Sequence, residues 1–91
     1  MYSVNPINLA ASDLVKSGPG AITTVLLTSG SDAATVILYD NTTGSGTVIC
    51  ALAVPAANTT VSASFPFPAV FAMGCYAAIT GTGASVTICT L

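Results

Sequence analysis

Residues 35–53 read TVILYDNTTGSGTVICALA, in which two apolar runs flank a polar segment that contains two glycines. Val, Ile, Thr and Tyr favour β-strands, whereas the Asn and Gly residues of the segment 41–46 tolerate the positive φ angles of tight turns. The stretch therefore predicts two strands, at residues 35–40 and 47–53, that are joined as a β-hairpin.

The rest of the chain repeats this pattern of short β-favouring runs separated by Gly, Pro, Asn, Asp and Ser. In the strand predicted at residues 59–65, residues 60–65 alternate strictly between hydroxyl and apolar side chains, which is typical of a strand with one face in water. The last two predicted strands are expected to pair as a closing hairpin. Seven or eight short strands in all predict an all-β fold, an antiparallel sandwich or barrel. Beyond the first two, the strands are predicted at residues 14–16, 21–28, 59–65, 75–80 and 84–91.

The length of 91 residues suits one small domain. The strand pattern assigns residues 14–91 to this single domain and residues 1–13 to an N-terminal arm. A domain of this size buries only about 60–65% of the surface that its unfolded chain exposes. A second copy or another protein would therefore add to its stability.

The chain has four charged side chains, which are Asp13, Lys16, Asp32 and Asp40, and it contains no Arg, Glu, His, Gln or Trp. General acid–base catalysis needs a group that titrates near neutral pH, and His is the usual one. We therefore predict that the protein is not an enzyme and that it uses no metal or cofactor. Asp32 and Asp40 lie beside turns, where an Asp commonly bonds its own backbone.

The same composition argues against nucleic acids and membranes as partners. A single basic side chain and a net charge of −2 remove most of the electrostatic attraction to phosphates. The longest apolar run, at residues 68–79, is shorter than the stretch of about 20 residues that a membrane-spanning helix needs. Residues 1–10 carry no charged side chain, so no targeting segment is predicted.

The cysteines are odd in number: Cys50, Cys75 and Cys89. Their spacings match no zinc site, and they cannot all pair within one chain. They are interpreted as small buried hydrophobic residues that stay reduced. One disulfide, or a bridge to another chain, is the alternative.

The strand at residues 35–40 is apolar on both faces. Val36 and Leu38 share one face, and Ile37 and Tyr39 share the other. An antiparallel sheet that is wetted on one side should be polar on that side. The second face is therefore expected to contact another subunit or a covering loop. The alternative is that the segment FPFPAVF, at residues 65–71 of the same chain, covers this second face.

Two segments are candidates for contact with a partner protein. One is the start of the N-terminal arm, and the other is the segment FPFPAVF, since aromatic residues often anchor interfaces. The alternatives are disorder for the arm and a place in the domain's own core for the Phe residues. The candidate contact residues are Tyr2, Val4, Pro6, Phe65, Phe67 and Phe71.

A resemblance to known proteins rests on three features of the sequence. These are VILYDNTTGSGTVI at residues 36–49, the Phe-Pro segment that follows, and GCYA at residues 74–77 before a Thr- and Val-rich end. Together they resemble small all-β virion proteins of tailed bacteriophages, which include capsid decoration, or cement, proteins. The resemblance covers residues 14–91.

This resemblance implies a structural protein of the virion that is made in the host cytoplasm and placed on the capsid surface. The expected function is that of an oligomeric decoration or cement protein, which stabilises the capsid by binding between subunits of the major capsid protein. A homo-oligomer is expected, and a trimer would suit the three-fold positions of a capsid lattice. The alternative is a head-fibre or tail-associated module that binds host glycans through Tyr2, Tyr39 or Tyr76.

Overall fold

The computed structural model of the chain describes residues 5–90, and for residues 5 and 66–68 it describes the backbone alone. This part of the chain contains eight β-strands and no helix, so the predicted all-β fold is confirmed. The strands are β1 (Asn5–Leu9), β2 (Asp13–Ser17), β3 (Gly20–Thr28), β4 (Ala34–Asp40), β5 (Thr47–Val54), β6 (Thr60–Phe71), β7 (Gly74–Thr80) and β8 (Ser85–Thr90).

The strands form two four-stranded sheets that pack as a sandwich. Sheet 1 has the strand order β1-β8-β3-β6, and sheet 2 has the order β2-β7-β4-β5. All neighbouring strands are antiparallel. β1 pairs with β8, β2 with β7, β3 with β6 and β4 with β5, so the pairs are nested inside one another along the chain. Eight strands paired in this way and rolled into two layers form a jelly roll.

The β4–β5 hairpin is the innermost of the nested pairs, and it confirms the prediction from residues 35–53. Val36 lies opposite Leu52, and Leu38 lies opposite Cys50. In the connecting loop, Gly46 has a φ of 106°, a conformation that residues with a Cβ rarely adopt. The loop is closed by a hydrogen bond of 2.9 Å that Asn41 Nδ2 donates to the carbonyl of Ser45.

Two predictions about the ends of the chain are wrong. The last two strands do not pair as a hairpin, because β7 lies in sheet 2 and β8 lies in sheet 1. The connection at Gly81 therefore crosses from one layer to the other. Asn5–Leu9, which the sequence assigns to the N-terminal arm, forms β1 and pairs along its length with β8. The strand has 5 residues, and its partner is at the far end of the chain, so no local pattern identifies it.

The core lies between the two sheets and is built by alternate residues of the strands, because successive side chains of a strand point to opposite faces. Its members come from both sheets. The Cα radius of gyration is 12.3 Å, close to the value of about 12 Å expected for a folded chain of this length. The chain thus closes a core of its own. The largest fully buried side chains are those of Ile22, Leu27, Leu38, Ile88, Val25, Val36, Val54, Val86 and Cys75.

The outer face of sheet 1 is rich in hydroxyl groups, although Leu26 is 38% exposed and Val70, near the end of β6, is 77% exposed. Thr28 of β3 lies opposite Thr60 of β6, and their Oγ1 atoms are 3.1 Å apart. Asn8 Nδ2 donates a hydrogen bond of 2.9 Å to Thr87 Oγ1 across the β1–β8 pair. The predicted half-solvated strand at residues 59–65 is confirmed, since its Ser and Thr residues lie on this outer side. We call this surface the hydroxyl face; it comprises Asn8, Thr24, Thr28, Thr60, Ser62, Ser64, Ser85 and Thr87 around a central Leu26.

Replacing a core residue of sheet 2 should be far more costly than replacing one at its rim. Leu38 is 0% exposed and Val48 is 52% exposed. We expect Leu38→Ala to lower the free energy of unfolding by about 2–5 kcal/mol, because it leaves a cavity between the sheets. Val48→Ala should change it by no more than about 0.5 kcal/mol. Urea denaturation followed by circular dichroism measures both, and equal losses would contradict the placement of Leu38 in the core.

Candidate functional site

The outer face of sheet 2 is mainly apolar, with one pair of hydroxyl side chains, Thr35 and Thr80, at one end. It is built by the residues of β4 and β7 that point away from the core, with residues of β5 and β2 beside them. The strand register places Ile37 opposite Ala51 on one side and opposite Ala78 on the other. We call this surface the apolar face; its apolar and aromatic members are Leu14, Ile37, Tyr39, Val48, Ala51, Ala53, Tyr76 and Ala78.

The alternation of β4 assigns its residues to the two faces. Val36 and Leu38 are buried in the core, so Ile37 and Tyr39 between and beyond them point outward. Both outward residues are half-buried, as expected for the middle of a sheet, while Val48 at the rim is 52% exposed. The prediction that this strand is apolar on both faces is confirmed.

The segment FPFPAVF does not cover the apolar face. It forms the second half of β6, which pairs with β3 in sheet 1. The core therefore separates it from the outer face of sheet 2, and the alternative in which this segment covers that face is wrong. The loop at residues 41–46 reaches one end of the face, where a Cβ on Gly44 would lie 3.2 Å from Cε1 of Tyr76.

The charged side chains lie away from the apolar face. Asp13 and Lys16 belong to the edge strand β2, and Lys16 Nζ lies beside Gly20 of sheet 1. Asp32 and Asp40 are bonded into loops at the ends of β4. The apolar face therefore carries no charge of its own.

Asp32 and Asp40 each accept hydrogen bonds from a loop distant in sequence. Asp32 Oδ1 accepts from the backbone N–H of Thr82 at 2.8 Å. Asp40 Oδ1 accepts from Met73 N at 2.9 Å and from Ala72 N at 3.1 Å. The expectation that both carboxylates bond the backbone of their own turns is therefore wrong. Each one instead joins two connections that are brought together by the fold.

The bonds to Asp40 also change its acidity. They stabilise the ionised carboxylate, so the pKa of Asp40 lies below its ordinary value, with the N–H of Met73 as the main cause and that of Ala72 next. An acid with a lowered pKa is fully ionised at neutral pH and is a poor general base. Asp40 thus connects the end of β4 to the segment between β6 and β7.

The candidate for function that the described geometry offers is a surface. No pocket opens among the described residues, and no three metal-binding side chains come together there. No helix long and apolar enough to cross a membrane occurs in the same part of the chain.

The three cysteines are free thiols in different surroundings. Cys75 is 0% exposed, and burial, together with the nearby charge of Asp40, raises its pKa to about 11. Burial also raises the pKa of Cys50, which faces the core from β5. Thiols with raised pKa values are weak nucleophiles, so both residues act as packing groups. Cys89 lies half-buried on the outer side of β8, opposite Thr24.

Two of the aromatic residues proposed as partner contacts, Phe65 and Phe71, pack in or against the core. Phe71 is 3% exposed, and its ring lies against Gly20, where a Cβ would come within 2.7 Å of it. Phe65 packs against the core from the inner side of β6. This corrects the expectation for Phe71, because a buried ring is unavailable to a partner. The side chain of Phe67 lies outside the described part of the chain.

Of the three residues proposed as contacts in the arm, one lies in the described part of the chain. Pro6 is exposed on β1, opposite Cys89 of β8. Tyr2 and Val4 lie outside the described residues. The assignment of Pro6 to an arm without a strand partner is therefore wrong, and its exposure on an outer face leaves it accessible.

The apolar face includes residues that sequence reasoning did not single out as contacts. Ala51 and Ala78 flank Ile37 on either side. Alanine is common in every part of a protein, so its presence in β5 and β7 carries no signal by itself. The useful signal was the apolar character of both faces of β4, and only the register showed which neighbours complete the surface.

Comparisons with known proteins add no relative to this description. No family model matches the chain, and neither a curated protein nor a solved structure matches it. The fold and the site together define an all-β sandwich with one hydroxyl face and one uncharged apolar face. Its function has to be inferred from that geometry.

The pH dependence of stability provides a test of the Asp40 interaction. Because its pKa is lowered by folding, the folded state binds fewer protons, and the stabilisation is complete above the unfolded pKa of about 3.9. It is lost as the pH falls through the lower folded value. We expect Asp40→Asn to lower the melting temperature at pH 7 and to show a smaller further loss on acidification than the wild type. Thermal unfolding between pH 7 and pH 2 measures this.

Asp13→Asn is the matched control, since it removes the same charge. The Asp13 carboxylate accepts a hydrogen bond of 2.7 Å from the N–H of the next residue, Leu14, and joins no distant loops. Its melting curve should follow that of the wild type more closely. A control that loses as much stability as Asp40→Asn would show that net charge, not the loop contact, is responsible.

Proposed function

We propose that the protein is a structural component of a tailed-bacteriophage virion, an oligomeric decoration or cement protein on the capsid surface. In this function it binds between subunits of the major capsid protein and stabilises the shell. The observation that carries the proposal is the apolar face, an uncharged and mainly apolar outer sheet surface on a domain whose other outer face is rich in hydroxyl groups. The sequence resemblance supplies the class of partner.

The breadth of the domain is sufficient for a protein partner. The domain measures 35 × 30 × 17 Å, so each broad side is large enough for the area of about 800 Å² per partner that stable interfaces bury. Burial of apolar surface contributes about 25 cal/mol per Å² before the costs of association are subtracted. A contact of this kind would stabilise both the domain and the shell to which it binds.

The architecture is compatible with this function. Double-sheet jelly rolls form the domains of many viral capsids and also of lectins. A fold alone does not determine a function, so the argument depends on the surface. The lack of titratable groups near neutral pH fits a protein that acts by contact and not by chemistry.

The absence of charge on the apolar face predicts how binding should respond to salt. Exposed charge pairs weaken as salt is added, whereas apolar contacts do not. We expect the wild type to cosediment with capsids assembled from its cognate major capsid protein, with equal affinity from about 0.05 M to about 1 M NaCl. Ile37→Lys should weaken binding at least tenfold, because it places a charge at the centre of the apolar face.

Leu26→Lys is the control, since it introduces the same side chain at the centre of the hydroxyl face. Leu26 is already 38% exposed, and this variant should bind capsids like the wild type. Circular dichroism would confirm that both variants fold. Failure of the wild type to bind, or loss of binding in Leu26→Lys with retention in Ile37→Lys, would contradict the proposal.

One observation favours glycan binding as a second candidate function. Tyr39 of β4 and Tyr76 of β7 lie opposite each other on the apolar face. The loop at residues 41–46 beside them supplies Asn and Thr side chains. Aromatic rings next to polar anchors are the usual elements of a sugar site, although this surface forms no pocket among the described residues.

A glycan array separates the two functions. The decoration function predicts no glycan signal above background for the wild type. A host-adhesion function predicts a signal that Tyr39→Ala abolishes and that Leu26→Ala, on the opposite face, retains. Such a signal would replace the decoration proposal by the glycan-binding one.

A further inference from the structure

The four edge strands of the sandwich differ in how well they are protected against pairing. β1 and β6 are the edges of sheet 1, and β2 and β5 are the edges of sheet 2. An edge strand exposes a row of unpaired backbone N–H and C=O groups, which can pair with a strand of another chain. Proline, charged side chains, bulges and short length oppose such pairing.

Three of these edges carry two or more protective features. β1 has 5 residues and contains Pro6. β2 also has 5 residues, includes Asp13 and Lys16, and is interrupted by a bulge. β6 contains two prolines, at positions 66 and 68, and its register with β3 is irregular at the same place.

β5 lacks these features over most of its length. Thr47–Val54 has 8 residues, with no proline and no charged side chain. Its register with β4 shifts once, beside Ile49, near the start of the strand. From Cys50 to Val54 the strand is regular and neutral, so none of these features opposes pairing along this part of its edge.

We propose that β5 pairs antiparallel with β5 of a second copy, so that the two copies of sheet 2 form one continuous eight-stranded sheet. A two-fold contact places each residue near its own counterpart, so a charge in β5 would face a like charge. β5 has none. Two of the three charged residues of sheet 2, Asp13 and Lys16, lie on the opposite edge strand. The third, Asp40, ends β4 and accepts hydrogen bonds from the connection between β6 and β7.

The side chains of β5 fit this pairing on both faces. With the axis at Leu52, Ala51 of each copy lies opposite Ala53 of the other, and both are small and exposed. On the core side, Cys50 and Leu52 are half-buried, and a neighbouring strand would cover them further. The two apolar faces would also become one surface of twice the width.

This inference concerns the isolated protein and does not depend on the virion proposal. A two-fold dimer also differs from the trimer expected from the sequence. Sedimentation velocity from about 1 μM to about 100 μM measures the association directly. We expect the wild type to form a dimer and no larger species.

The double variant Ala51→Lys/Ala53→Lys tests the edge, since the pairing would bring lysines of the two copies together. Its dissociation constant should rise roughly tenfold or more. Ser62→Lys/Ser64→Lys is the matched control, because these exposed residues have the same spacing on β6 of the other sheet. It should dimerise like the wild type, and circular dichroism should show both variants folded.

Two further measurements distinguish edge pairing from stacking of the apolar faces. Ala78→Lys places a charge on the apolar face two strands away from β5, and it should leave the dimer intact. Hydrogen exchange at residues 50–54 should slow as protein concentration rises. A monomeric wild type, a trimer or open polymer, a dimer that survives the β5 lysines, or one that Ala78→Lys abolishes would overturn the inference. None of these outcomes affects the capsid-binding test, which uses assembled particles.

Discussion

Nested antiparallel pairing is the constraint on which the rest of this structure depends. The β4–β5 hairpin is local, but each wider pair joins segments that are farther apart, until β1 meets β8 at the two ends of the described chain. Backbone groups that are removed from water need hydrogen-bond partners, and this arrangement supplies them between distant strands. Rolling the nested pairs into two layers then buries one face of each strand.

The fold determines where the four charged side chains lie. Asp32 and Asp40 bind backbone N–H groups of distant connections and hold the ends of the sandwich together. Asp13 and Lys16 lie on β2. With the charges placed in loops and on one edge, the outer surface of sheet 2 and the edge strand β5 are left neutral. The strands of sheet 1 contain no charged residue either, so both outer faces of the sandwich are uncharged.

The two outer faces show how much a strand pattern can reveal. Residues 60–64 alternate between hydroxyl and apolar side chains, and this predicts the hydroxyl face correctly because one side of β6 meets water. β4 is apolar at successive positions, and this predicts that its outer side contacts another subunit or a covering loop instead of water. Which residues of β5 and β7 complete that surface depends on register, which no local pattern specifies.

The sequence by itself determined the strand-forming character of the chain, the β4–β5 hairpin and the absence of His, Arg and Glu, because these follow from residue types and short-range spacing. It also located most of the strands to within a residue or two. The tertiary structure decided that β7 and β8 lie in different layers, that Asn5–Leu9 is a strand, and that Phe71 fills the core. These features depend on contacts between residues that are distant along the chain. The strand propensity of a residue does not specify which distant strand it will pair with, so the packing of the whole domain decides the pairing.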